Sequence, residues 1–450
     1  MIWDAVIVGA GVAGLFVGSE ILKAHPDKRV LLLERYTYVG GRLYTYKKHL
    51  ANRDVQWETG AGRLSMNHRR LLHLLHIHGL HLAGVSSGAD LWLAGNGAAP
   101  VPSPAGPLFT TVLQELAALP PDVLCRSTLA ELLRATGNEA IIPLFPYWSE
   151  LHTLRSDLGL ETFLKGEFSG KERFCAVVEG YGALAKAMAA EFERLGGVLQ
   201  KGATVIDVST HPIGTNRGKG KGEEGGKGEE GGKGEGEAET LCKLRVLHEG
   251  LHTDVLAKTC VLATHLNALR SMPNVRHHMP VLRQLQMEPL VRMYAVFPVH
   301  HGKAWFSGLS RMVTPGRVRY IIPISEKKGV IMISYTDGAD ARYWIDAQKR
   351  HGDAWVATEV LRDVRALLPD HTIPDPYAFK IHPWHSGCTY WRPGSYDVRA
   401  AAHDALTVEG MNGVFVCGES VSLNQAWVEG ALESAEALLA LPSFLKRLDE

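Results

Sequence analysis

The stretch "WDAVIVGAGVAGLFVGSEILKAH", residues 3–25, constrains the fold more than any other part of the chain. A β-branched apolar run meets three glycines, Gly9, Gly11 and Gly14, and then apolar residues at helical spacing. It reads as strand, tight turn, helix. In that arrangement Gly9 permits the turn, Gly11 lets a pyrophosphate approach the backbone, and Gly14 lets the helix pack on the strand, while the helix N-terminus presents N–H groups to an anion. Glycines serving helix packing alone would explain the same spacing. A second strand, "KRVLLLERY", follows and ends at Glu34, about twenty residues on, where a carboxylate can accept both hydroxyls of a ribose. Together the two strands read as a dinucleotide site.

Directly after that carboxylate and its neighbour Arg35, "YVGGRLYTY" brings Gly40, Gly41 and Arg42. An arginine behind a glycine pair can fold over a pyrophosphate as a bidentate cation. The strings "VIVGAGVAGL" and "LLLERYTYVGGRL" resemble the flavin-containing amine oxidase superfamily. That resemblance implies FAD as cofactor and extends to later segments. The strand "ATVIDVS" would lay the backbone of Val205 against the adenine. The closing segment "NGVFVCGESVSLNQAWVEGALESAEALLAL" would offer Gly418 and Glu419 to a ribityl hydroxyl, with a surface acid as the plain alternative for Glu419. The helix beginning near Trp427 would aim its N-terminus at the pyrimidine edge of the flavin, with Val428 as backbone donor, stabilising the reduced anion.

The fold class expected is α/β: a Rossmann-like, glutathione-reductase-type FAD-binding domain assembled from three segments, plus an α+β substrate domain with a mixed sheet and flanking helices. The 450 residues, 46% hydrophobic, exceed what one simple core usually accommodates. Residues 1–85, 175–270 and 396–450 are assigned to the FAD-binding domain, and 86–174 and 271–395 to the substrate domain. "GAAPVPSPAGP" reads as a loop, residues 108 to 170 as several helices, and "PLVRMYAVFPV", "RVRYIIPI" and "GVIMISYT" as strands of one sheet. Residues 214–239 are nearly all Gly, Lys and Glu. They read as a disordered insertion in a hairpin, because they cannot bury apolar area.

Lys plus Arg and Asp plus Glu both number 48, so no charge excess points to nucleic acid, and the expected partner is a small-molecule amine or amino acid together with oxygen. Six cysteines without a C-x-x-C pair argue against a disulfide framework or structural zinc. The 21 histidines show no metal-binding frame, so no metal is expected. With no room for a signal peptide and no apolar run of membrane length, a cytoplasmic setting is expected, with a homodimer possible.

Four residues are candidates for chemistry. Trp427 in "WVEGA" and Tyr396 in "WHSGCTYWRPGSY" match segments that carry the aromatic walls beside the flavin in the resembled family; such walls exclude water and favour the neutral amine. Core packing is the plain alternative for both. Cys388 lies near the place where monoamine oxidases attach their flavin, but its spacing to "RPG" is shorter, so non-covalent FAD is expected. Arg292 stands where many amine oxidases carry a lysine that holds a water and aids oxygen; arginine is a planar fork and not an equivalent donor. The loop "ETGAGRL" places Gly60, Ala61 and Gly62 against the cofactor, followed by Arg63. The continuation "ETGAGRLSMNHRRLLHLLHIHGL" resembles the L-amino-acid oxidase branch, where an arginine at the position of Arg63 binds the substrate carboxylate. In that branch a tyrosine on the strand "RYIIP" also contacts the carboxylate; here Ile322 takes its place, with Tyr320 close by. Pairing of Arg63 with Glu58 or an FAD phosphate is the alternative. The function expected is therefore FAD-dependent oxidation of an amine, an L-α-amino acid by preference, giving an imine and hydrogen peroxide. A monoamine or polyamine oxidase, a desaturase or isomerase flavoenzyme, and a low-turnover FAD-binding scaffold are the alternatives.

Overall fold

The computed structural model describes residues 1–50, 52–85, 91–92, 101–102, 105–145, 147–165, 173–212 and 240–449. Two seven-stranded sheets organise them.

The first sheet runs in the order Val198–Lys201, Val30–Glu34, Ile2–Val8, Leu251–Leu262, Thr240–His248, Ala203–Pro212, and Val414–Val416 joins it beside Leu251–Leu262. Its central pairings are parallel. Parallel strands are covered on both faces, which is why these segments read as continuous apolar runs. Ala5, Ile7, Val30 and Leu32 face the helices Val12–Ala24, Tyr181–Arg194 and Val428–Leu439. Their neighbours Val6, Val8, Leu31 and Leu33 face the opposite way, into a second cluster with Leu244, Val246 and Trp391, as the two-residue period of a strand requires. Ala203–Pro212 and Thr240–His248 pair antiparallel, so the Gly/Lys/Glu insertion falls between the arms of a hairpin. The expectation of disorder for 214–239 lies outside the described residues.

The second sheet runs Ala378–Trp391, Leu285–Val296, Val330–Asp337, Tyr320–Ser325, Met312–Val313, Leu91–Trp92, Val101–Pro102. It is mixed, since Leu91–Trp92 pairs parallel with Met312–Val313 among antiparallel neighbours. Helices Gly338–His351 and Asp353–Leu367 pack on it through Ala341, Trp344, Val356 and Val360. Five short α-helices between residues 105 and 165 form a separate apolar cluster around Leu113, Leu129, Phe145 and Phe163. One stretch departs from the sequence reading: "GAAPVPSPAGP" contains the strand Val101–Pro102 and the start of the helix Ala105–Ala117. A proline is tolerated there because the strand lies at the sheet edge, where a missing N–H leaves no partner unsatisfied.

Candidate active site

A single cavity of about 2080 Å³ runs from the C-terminal ends of the parallel strands to the face of the second sheet. At its first end, Gly9 sits at φ 106°, and a side-chain carbon there would stand 2.6 Å from the Ala263 carbonyl oxygen. Only glycine fits both the dihedral and the space. Gly14 packs against Gly9 and Ala263. Gly11 precedes the helix Val12–Ala24, and the space its side chain would enter is open. The helix N-terminus is therefore bare toward the cavity, which is the cradle a pyrophosphate needs.

The Glu34 carboxylate is buried at the end of its strand and accepts the N–H groups of Ala10 and Tyr36, both at 2.8 Å. Burial raises its pKa while those two N–H groups oppose the rise. Arg35 packs over the Tyr36 ring at 4.6 Å on the cavity rim. Gly40 donates its N–H to the Ala10 carbonyl at 2.7 Å, docking the second glycine loop onto the first. Gly41 faces Gly11, and Gly60 and Ala61 lie on the backbone of Arg42. The Arg42 side chain donates to the Glu419 carboxylate at 3.0 Å and to the Gly387 carbonyl at 2.7 Å. The other Glu419 oxygen accepts the N–H groups of Thr389 and Ala426. Glu419 is thus a buried hub joining three segments and not a surface acid. Val205 lines the wall opposite, beside an irregularity in strand pairing at Val205/Asp207.

At the second end the walls are aromatic. Trp427 caps the helix Val428–Leu439, so Val428 is its first residue and the N-terminus opens on the cavity. The Arg63 guanidinium lies 4.1 Å from the centre of the Phe174 ring and 5.7 Å from that of Trp427. Those two rings lie nearly parallel with centres 6.2 Å apart, so the cation packs chiefly on Phe174 with Trp427 to one side. Arg63 also donates to the Tyr147 hydroxyl at 2.7 Å. The Glu58 carboxylate instead takes the Thr45 hydroxyl and the Tyr181 N–H, and burial pushes its pKa up to about 7.

Arg292 stands on the same wall, with its guanidinium 5.0 Å from the Tyr335 ring centre. Its Nη1 presses on Gly62, where any side-chain carbon would lie 2.6 Å away. Tyr320 and Ile322, two residues apart on one strand, both line the cavity. Tyr320 packs against Tyr147, the partner of Arg63. His382 accepts the Trp57 indole N–H at 2.9 Å, and burial pulls its pKa down to about 4. Cys388 also lines the cavity, and burial pushes its thiol pKa up.

Tyr396 does not meet the expectation of an aromatic wall. Its ring packs under the Arg155 guanidinium at 4.6 Å and its hydroxyl donates to the Arg392 carbonyl. The strand Ala378–Trp391 ends before it, and the turn at Arg392–Gly394 carries it behind the wall. The same strand puts Trp384 and Tyr390 on the cavity instead.

Several contributors escaped the sequence reading. Tyr147 is 84 positions from Arg63 and Phe174 reaches it only through pairing of its strand with Leu64–Ser65; no local pattern reveals either. His68 packs edge-on to Trp427 at 4.9 Å and its Nδ1 accepts the Ser65 N–H. Glu429 accepts the N–H groups of Arg70 and Leu71. It clamps the helix Arg69–Ile77 to the helix that starts at Val428. Among the described residues no group of three or more His, Cys, Asp or Glu could hold a metal ion.

A nucleotide cradle at strand ends, joined to an aromatic chamber on a second sheet, defines a flavin-dependent oxidoreductase. More narrowly, the chain belongs to the flavin containing amine oxidoreductase family, whose model matches residues 12–437, and its cofactor is FAD. A solved structure titled as a redesign of cofactor binding in putrescine oxidase, a double mutant, is similar over 98% of this chain and 100% of that one, with a TM-score of 0.69 at 16% identity. At that identity the likeness is one of fold, and fold alone does not select a substrate. No curated protein sequence matches. No helix among the described residues is long and apolar enough to cross a membrane.

Proposed function

We propose that this amine oxidoreductase acts on an L-α-amino acid, with Arg63 as the carboxylate anchor, Trp427 as the aromatic wall beside the amine, and FAD held non-covalently by segments 1–85, 175–270 and 396–450. The observation that carries the reading is the Arg63 guanidinium, set on the cavity wall over the Phe174 ring and beside Trp427. A guanidinium at this place could pair with a planar carboxylate in a bidentate way, which would favour amino acids over amines. When bound, FAD would supply the acceptor for a hydride from the substrate α-carbon, with oxygen as final acceptor giving hydrogen peroxide and the imine product hydrolysing to a keto acid and ammonia.

The protein's own residues arrange this. Gly11 and the N–H groups of the first helix would receive the pyrophosphate, Glu34 the ribose and Glu419 the ribityl chain. The helix starting at Val428 would place its positive end by the pyrimidine edge, favouring negative charge there. Trp427 and Phe174 would flank the Arg63 guanidinium, and Tyr147 accepts a hydrogen bond from it. The raised pKa of the Cys388 thiol disfavours the thiolate that a covalent link would need. Six free cysteines suit a reducing, cytoplasmic setting.

Oxidation of a monoamine or polyamine is the second reading. The carboxylates of Glu150 and Asp337 line the same cavity and would attract a substrate ammonium, and a putrescine oxidase shares the fold. Anaerobic mixing of the FAD-loaded protein with amino acids and with their decarboxylated counterparts separates the two. The main reading expects the flavin to bleach with the amino acids; bleaching by amines alone would replace it with the second.

A further inference from the structure

Arg292 is a second cation in the chamber. Its Nε–H is buried with no hydrogen-bond partner among the described residues. Its Nη1 reaches the Glu58 carbonyl at 3.4 Å, a long bond. The Glu58 carboxylate is turned to Thr45 and Tyr181. The Arg292 head group lines the cavity beside Tyr294 and Tyr335 with no carboxylate of the described residues bonded to it, and a partly buried charge in that state gains from an arriving anion. The place is also reserved: Gly62 has no side chain, and any other residue there would displace the fork.

The two guanidiniums are linked by a run of tyrosine contacts along the cavity wall. Arg63 bonds the Tyr147 hydroxyl, Tyr147 packs on Tyr320 at 6.3 Å between ring centres, Tyr320 stacks on Tyr335 at 5.8 Å, and Arg292 lies over Tyr335. All five residues line the cavity. A ligand reaching both cations would lie in this one cavity beside the tyrosines.

We infer that Arg292 is a second anion anchor, so that the substrate is an amino acid whose side chain ends in an acid: its α-carboxylate on Arg63, its distal carboxylate on Arg292. This rests on the amino-acid reading. The carboxylates of Glu150 and Asp337 lie in the same cavity; Asp337 accepts the Ser149 N–H at 3.1 Å. If they governed the distal end, a cationic tail would be preferred instead.

The test uses the FAD-loaded protein and follows flavin absorbance. Straight-chain diacids from glutarate to suberate are titrated beside monoacids and ω-amino acids of equal length. At the best length the diacid should bind at least tenfold more tightly than the monoacid. Arg292→Gln should erase that advantage, and Arg292→Lys should keep part of it. FAD content and thermal midpoint show whether each variant is folded. An advantage that survives Arg292→Gln, or tighter binding of the ω-amino acid, overturns the inference. Monoacid binding that depends on Arg63 with no diacid advantage overturns it alone. If no acid perturbs the flavin and Arg63→Gln changes nothing, the amino-acid reading falls and this inference with it.

Discussion

The Arg63 side chain donates to the Tyr147 hydroxyl at 2.7 Å, a bond that ties the loop at the nucleotide end to the helical segment over the chamber. Arg63→Ala removes the charge and the clamp's content. It should raise KM for amino acids on the order of 100-fold, equivalent to about 3 kcal/mol for a charge-assisted pair, with FAD content unchanged. Tyr147→Phe should cost less, on the order of fivefold, or about 1 kcal/mol. Steady-state kinetics with FAD content measured alongside checks both. Loss of FAD in Arg63→Ala would mean that the charge faces the cofactor.

Gly62→Ala should cost about 1 kcal/mol or less, the low end for overpacking, because the new carbon would sit 2.6 Å from Arg292 Nη1, the end of a flexible side chain that can shift into the cavity. Adding Arg292→Met to Gly62→Ala removes the obstructing head group. The double variant should therefore lose less stability than the sum of the two single changes, as expected for residues in contact. Denaturant midpoints of the four proteins test this; strict additivity would refute the contact.

Glu429→Gln should lower stability by about 1–3 kcal/mol, since a buried carboxylate that accepts two helix N–H groups and the Arg70 side chain loses its charge. Amide hydrogen exchange at Leu71 should quicken first. The chamber should feel the change as well, because Glu429 follows Trp427 and Val428 at the helix end that opens on the cavity.

Glu58 links stability to pH. Burial raises its folded pKa from 4.5 to about 7, so between those values the folded protein keeps a proton that the unfolded chain has released. Its contribution to stability is then greatest at the acid end and falls as pH rises through about 7. The loss is on the order of 1.4 kcal/mol per pKa unit, lessened by partial exposure. Glu58→Gln should therefore gain stability relative to the wild type on going from pH 5 to pH 8. Thermal midpoints at the two pH values check the sign; a difference that does not change with pH would show that Glu58 is not the titrating group.

The nucleotide end was legible because its physics is local. Gly9, Gly11 and Gly14 sit within six residues where the first strand passes into its helix, Glu34 ends the next strand, and Gly40 and Gly41 lie a few residues further on; each requirement is met by neighbours in the chain. The apolar runs of the parallel strands were readable for the same reason, since burial on both faces leaves a continuous pattern. The chamber was less legible. Tyr396 and Tyr390 are six residues apart and chemically alike, yet the end of one strand at Trp391 puts the second on the wall and the first behind it. Arg63 was visible as a cation in a glycine loop, but its clamp needed Phe174 and Tyr147, brought in by strand pairing and helix packing across long separations. Sequence alone determined that a flavin-type nucleotide could be held, because that depends on backbone shape over short spans. Which side chains converge on the substrate was decided by the tertiary structure alone, because convergence depends on where distant segments are packed.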